Sequence, residues 1–159
     1  MTNADVFRCH PPTTFGKSNM EDWALWYAFN CPLSRYTGVR AAKQGITSHP
    51  AVRLGVYQNS VSRDNHTACF EMCYIGPKLS ISNLEKAVKR DYDWAIERDG
   101  RGHSEWISGL AVNDFESAID KLIIENHFIV QKVDTCWLPL TTENLEDFLK
   151  NYGLDNHKN

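Results

Sequence analysis

Residues 42–57 read AKQGITSHPAVRLGVY, and the parsing of this stretch decides the fold. Its first half looks like the end of a strand that enters a turn at Gly45. Thr47-Ser48-His49-Pro50 then reads as a helix start, with small polar caps followed by a proline whose missing N–H costs nothing in a first turn. The helix is expected to run to about Gln58. A rival parsing starts from the string Gly55-Val56-Tyr57 and pairs it with Tyr74-Ile75-Gly76 as two strands. Two features count against it: the gap between the strings is long for a hairpin, and Pro77 follows the second string.

Working outward, WALWYAFN at residues 23–30 is short, apolar and aromatic, which marks a buried strand. With Gly38–Ile46 it is expected to form an antiparallel hairpin with a longish loop. Thr67–Ile75 is a third strand, stopped by Gly76-Pro77. Ser80–Arg98 reads as one long helix. His103–Ile107 is a short extended piece. Asn113 and Glu116 open a further helix with Phe115, Ile119, Leu122 and Ile123 inward. Phe128–Val133 is a short strand, and Thr142 opens a last helix. The expected fold class is α+β, a small, mainly antiparallel three-stranded sheet flanked by helices. The expected organisation is an N-terminal arm (1–21), a core (22–124) and a C-terminal strand–helix extension (125–159).

Bulk composition sets bounds. The chain has 159 residues, of which 42% are hydrophobic, enough for a single cored domain. The formal net charge of −3 argues mildly against a nucleic-acid partner, although net charge can hide a local basic patch. No window approaches the ~18 apolar residues of a membrane span. The first 23 residues carry no apolar targeting core, so the expected location is the cytoplasm, that of the host cell if the chain is phage-encoded. The five cysteines, Cys9, Cys31, Cys69, Cys73 and Cys136, form no C-x-x-C pair and are expected to be reduced thiols. A zinc site on His66, Cys69 and Cys73 is the outlying reading. His66 is also a candidate proton carrier.

The stretch K-Q-G-I-T-S-H-P-A-V-R-L at residues 43–54 resembles the second motif of the GIY-YIG nuclease superfamily, in the phage-associated branch where it runs K-I-G-x-T, a proline, then R-L. Leu84-Glu85 on a helix and Gly102-His103-Ser104-Glu105-Trp106 are similar to that branch's later L-E and E-W motifs. The resemblance spans about residues 22–124. This chain departs from it in three places. No glycine leads the tyrosine of the first strand, Gln44 stands for an apolar residue, and Lys89 stands where a histidine often follows the L-E glutamate.

The resemblance implies a metal-dependent DNA endonuclease, phage- or mobile-element-encoded, acting in homing, competition or restriction. Phosphodiester hydrolysis needs an activated water, charge stabilisation at phosphorus and help for the leaving oxygen. On this reading Arg53 clamps the scissile phosphate, bidentate and permanently charged. Tyr27 (or Trp26) supplies the first-strand side chain. Lys43 orients or deprotonates water, and Tyr57 shares a helix face with Arg53. Glu85 is the ligand of one Mg2+ (or Mn2+), although Ser82-x-x-Glu85 is equally a capping box. Glu105 is a secondary partner and Trp106 a core residue beside the site. Gly45 serves a positive φ or a close approach. DNA contacts would come from Arg35, Arg40, Arg63, Lys89 and Arg90, and the short flanks leave room for a homodimer. The alternative is a catalytically inactive DNA-binding regulator or inhibitor on the same scaffold.

Overall fold

The computed structural model of the chain describes residues 23–30, 42–62, 67–93, 96–97, 106–107 and 115–152. These form strands β1 (Trp23–Asn30) and β2 (Ala42–Thr47), helix α1 (Pro50–Val61), strand β3 (Phe70–Pro77) and helix α2 (Lys78–Asp91). Strands β4 (Ile96–Glu97) and β5 (Trp106–Ile107), helix α3 (Phe115–Asn126), strand β6 (Gln131–Lys132) and helix α4 (Leu145–Asn151) follow. The class is α+β, as expected. The strand count is corrected: the described residues form one sheet of six strands in the order β4-β5-β2-β1-β3-β6. Every pairing is antiparallel. The three expected strands are its long members, and the other three have two residues each, too short to leave a periodic trace.

Strand β1 sits in the middle of the sheet, and both of its faces are covered. That is why WALWYAFN is apolar throughout rather than alternating. Trp23, Leu25, Tyr27 and Phe29 face one core, shared with Leu54 and Tyr57 of α1 and with Leu145, Phe148 and Leu149 of α4. Ala24, Trp26 and Ala28 face the other, shared with Ile81, Leu84 and Val88 of α2 and with Phe115, Ile119 and Leu122 of α3. Helix α1 therefore lies on one side of the sheet and α2 with α3 on the other. Full burial of each large apolar side chain contributes about 1.5–3 kcal/mol.

The stretch that opened the reading folds as a strand followed by a helix, as the first parsing expects, but β2 runs through Gly45 to Thr47 with no turn there, and the helix reaches Val61 rather than Gln58. Pro50 occupies the first turn of α1 and His49 is its N-cap. The Thr47 hydroxyl accepts the His49 backbone N–H at 2.9 Å. Gly55 to Tyr57 lie inside this helix, which excludes them as a strand.

Several element boundaries move: β3 runs through Gly76-Pro77, which were expected to stop it, and the last helix opens at Leu145 rather than Thr142. The long helix ends at Asp91, not Arg98, and Ile96–Glu97 joins the sheet instead. The chain turns at Tyr92, whose ring is buried edge-on against Phe115, with centroids 5.0 Å apart. That tertiary contact outweighs local helix propensity. Beyond residue 126 the chain belongs to the same core as the rest. Phe70 and Leu140 exchange two backbone hydrogen bonds, and Val133, Leu140, Leu145 and Phe148 are buried with β1 and β3.

The cysteine expectation is also corrected. Cys136 is disulfide-bonded, whereas Cys69 and Cys73 are buried thiols in no disulfide. Sequence spacing says nothing about which thiols approach in space, and a count alone misjudged this one. No helix among the described residues is long and apolar enough to cross a membrane.

Candidate functional site

Three elements build the site: β1, β2 and the first turns of α1. Cross-strand pairing sets Tyr27 opposite Gly45 and Phe29 opposite Lys43. Directly opposed residues share a face of the sheet, so Lys43 and Gly45 lie on the Tyr27 side. Helix α1 covers that side and brings Arg53 over it. Arg53 Nε donates to the Tyr27 hydroxyl at 2.6 Å.

Gly45 makes this pair possible. A Cβ at that position would lie 2.6 Å from Cζ of Tyr27 and closer still to its hydroxyl. The glycine thus serves a close approach, not a positive φ. The phenol ring lies flat across β2 where a side chain would otherwise stand, and its hydroxyl extends to the helix. The ring is held from behind by Phe29 and Phe70, each 4.6 Å away between centroids. Tyr27 is wholly buried, so its position is set by packing on every side.

Arg53 is half-buried, and its side chain pairs with no carboxylate among the described residues. The arginine is always charged, and anchoring Nε leaves its two terminal nitrogens for an anion. Neither β1, β2 nor α1 contains an aspartate or glutamate. A site with two cations, a phenol and no acid on its own elements is suited to a phosphate or carboxylate ligand.

The other expected residues fall elsewhere. Trp26 is on the opposite face, and its indole N–H donates to Gln44 Oε1 at 2.7 Å. Gln44 is the one buried polar residue among the described residues. The glutamine that departs from the resembled motif is therefore matched by a tryptophan on the neighbouring strand. Tyr57 is buried and stacked on Phe29, with ring centroids 3.9 Å apart and an interplanar angle of 16°, so its ring is part of the core.

Glu85 lies on α2, across the sheet from Arg53, and pairs with Lys89 at 3.8 Å. The N-cap of α2 is Pro77, which has no side-chain cap bond, so Ser82-x-x-Glu85 is mid-helix and not a capping box. Arg90 pairs with Asp91 at 3.1 Å on the same helix. The structure thus brings Tyr27, Lys43, Gly45 and Arg53 together and leaves Glu85, Lys89 and Arg90 in the other layer. Arg35, Arg40, Arg63, His66 and Glu105 lie outside the described residues.

Sequence reasoning missed a second polar cluster, on the α2–α3 side. The Tyr74 hydroxyl donates to Asp120 at 2.6 Å, and Lys132 bridges Asp120 at 3.2 Å and Glu116. Burial, then the Asp120 carboxylate, pushes the Tyr74 phenol well above its usual range. For Lys132, burial pulls down, but the hydrogen bonds and charges of Glu116 and Asp120 outweigh it and the ammonium is held above its ordinary value. Both groups are satisfied, and the cluster ties β6 to α3. Its members are 46 and 12 residues apart, spacings with no helical or strand period to reveal them.

Burial pushes the Cys73 thiol up, which opposes the thiolate that a zinc ion requires. No group of three or more His, Cys, Asp or Glu among the described residues is placed to hold a metal ion. The chain matches no family profile, no curated protein and no solved structure.

Proposed function

We propose that the protein is a DNA endonuclease whose phosphodiester-binding group is Arg53. The observation that carries this reading is the Arg53–Tyr27 hydrogen bond over Gly45: a half-buried guanidinium, locked by a phenol and paired with no carboxylate among the described residues. The resemblance to the GIY-YIG superfamily supplies the reaction class. In the proposed step Arg53 binds two non-bridging oxygens of one backbone phosphate and neutralises the charge that builds there. Lys43, on the same face, adds a second cation. The Tyr27 hydroxyl, hydrogen-bonded to that arginine, is the proton-handling group proposed at that phosphate. Tyr57 and Phe29 keep the wall behind Tyr27 rigid.

The resemblance also implies Mg2+ or Mn2+ held by Glu85. The residues do not fit that assignment. Glu85 is in the opposite layer from Arg53 and already pairs with Lys89. No step is routed through an ion there. This misfit favours a second reading, a DNA-binding regulator that grips the backbone through the same arginine and cuts nothing.

Incubation of the protein with supercoiled plasmid and divalent metal separates the two. Nicking or linearisation that disappears in Arg53→Ala supports the endonuclease. Retained DNA binding without cutting, itself weakened in Arg53→Ala, supports the regulator. DNA binding and cutting both unchanged in Arg53→Ala would reject the site.

A further inference from the structure

We propose that Gln44 is a positioning residue: its buried hydrogen bond to Trp26 fixes the register of β2 on β1 and so keeps Gly45 beneath Tyr27. What this does for a bound phosphate rests on the phosphodiester reading of the Arg53 site. Strand β2 needs such a fastening. Among the described residues β5 pairs with it only at Ala42 and Lys43, and from Gln44 to Thr47 its ladder is with β1 alone. Gly45 lies inside that stretch, and a glycine weakens a strand because it has no side chain to pack. The site nevertheless depends on this weak point. The Tyr27 ring occupies the space over Gly45, and its hydroxyl meets Arg53 from there.

A slip in register would destroy the arrangement. A shift of one residue turns every side chain of β2 to the opposite face, so that Gln44 or Ile46 would stand under the phenol. A shift of two keeps the faces but sets Lys43 or Thr47 opposite Tyr27. Either way a side chain fills the bed that only glycine leaves open, and the phenol is driven from the guanidinium.

The Gln44–Trp26 pair distinguishes these registers. Gln44 is buried, and the Trp26 indole N–H donates to its Oε1 at 2.7 Å. Trp26 is itself a fixed point, wholly buried and held edge-on by Tyr74 and Phe115, with centroids 5.7 and 5.8 Å away. A one-residue slip carries the amide to the far face of the sheet. A two-residue slip moves it about 7 Å along the strand. In each the indole N–H loses its acceptor inside the core, which is costly. An apolar residue at position 44 would bury equally well in several registers, whereas a buried polar pair accepts one. A buried asparagine sets the register of a coiled coil in the same manner. The sequence neighbours of Gln44, Lys43 and Gly45, both lie on the face of the site, so a fastening on the opposite face acts on them without touching the ligand.

The test is amide-resolved nuclear magnetic resonance of the full chain as wild type, Gln44→Met and Gln44→Leu/Trp26→Phe. Wild type is expected to show one amide signal for each of residues 43–47 and strong cross-relaxation from the Tyr27 ring to the Gly45 α-protons. In the variants the signals of residues 43–47 should double or broaden and that cross-relaxation should weaken, while α2 and α3 keep single signals. Single signals with full cross-relaxation in either variant would overturn the proposal. So would doubling spread evenly over the molecule, or outright unfolding of both variants, since each makes the pair a source of stability and not of register. A second arm reads the site itself, with a short DNA duplex followed by fluorescence anisotropy. Arg53→Ala should weaken binding many-fold in wild type and less in the Gln44→Met background, and an equal fold-loss in both backgrounds overturns the positioning role. A wild type that binds no duplex rejects the phosphodiester reading and leaves the register result standing.

Discussion

Two tyrosines on adjacent strands set the face of the proposed site apart from a structural one. Tyr27 on β1 and Tyr74 on β3 are both buried, and each spends its hydroxyl on a charged partner. Their faces are opposite and so is the sense of the bond. Tyr27 accepts from a guanidinium. Tyr74 donates to a carboxylate. Burial and the Asp120 carboxylate hold the Tyr74 proton in place. The cations differ in the same way. Lys132 is shared between Glu116 and Asp120, whereas Arg53 pairs, among the described residues, with the phenol and no carboxylate. One face holds a closed circuit of charge that fastens α3 to β6. The other holds an unbalanced positive group, which is what an anionic substrate requires.

Breaking the unbalanced face should give the largest effect. Arg53→Ala is expected to lower plasmid cleavage by about 100- to 1,000-fold, the range for loss of one well-placed charge-stabilising donor. Its thermal midpoint should move little, because the side chain is only half-buried. Cleavage within a fewfold of wild type would erase the distinction between the faces.

Gly45→Ala attacks the same pair indirectly. The added methyl collides with Tyr27, which is packed too tightly to retreat, so a loss of about 1–3 kcal/mol in denaturant unfolding is expected, together with reduced activity. Gln44→Leu sharpens the comparison from the other side of the same strand. It strands the Trp26 indole N–H in the core and should cost about 1–3 kcal/mol in the same assay. The double variant Gln44→Leu/Trp26→Phe should recover part of that loss, and simple additivity would show that the hydrogen bond is not the coupling.

The smallest effect concerns the closed face. The Tyr74 phenol is held above its ordinary value by burial and Asp120, so the folded state keeps a proton that the unfolded chain releases above about pH 10. That stability is fully present below this pH and declines as pH rises further. Tyr74→Phe should flatten the alkaline limb of a stability–pH curve. A limb unchanged by the substitution would mean that another group sets it.

The arrangement β1-β2-α1 was legible because each of its signals is local. An all-apolar octet, a glycine, a polar cap and a proline at a first turn need no knowledge of distant contacts. Arg53 and Gly45 were legible for the same reason, as members of one short motif. The helix end at Tyr92 was not, because it depends on Phe115. The layer occupied by Glu85 was hidden too. A leucine–glutamate pair tells which residues share a helix, not which side of a sheet the helix covers. Gln44 was read as a flaw in a pattern, yet it is half of a pair whose other half, Trp26, lies 18 residues earlier.

Strand β3 shows what the C-terminal chain is for. Gln131–Lys132 pairs with its far half and Leu140 with its beginning. A strand of eight residues containing phenylalanine, tyrosine, isoleucine and methionine would otherwise offer bare amides to any neighbouring molecule. A chain cut after Asn126 would carry such a template for intermolecular pairing. The last fifth of the polypeptide thus covers an edge that would otherwise be open to intermolecular pairing, and a chain truncated there should aggregate before it loses any chemistry.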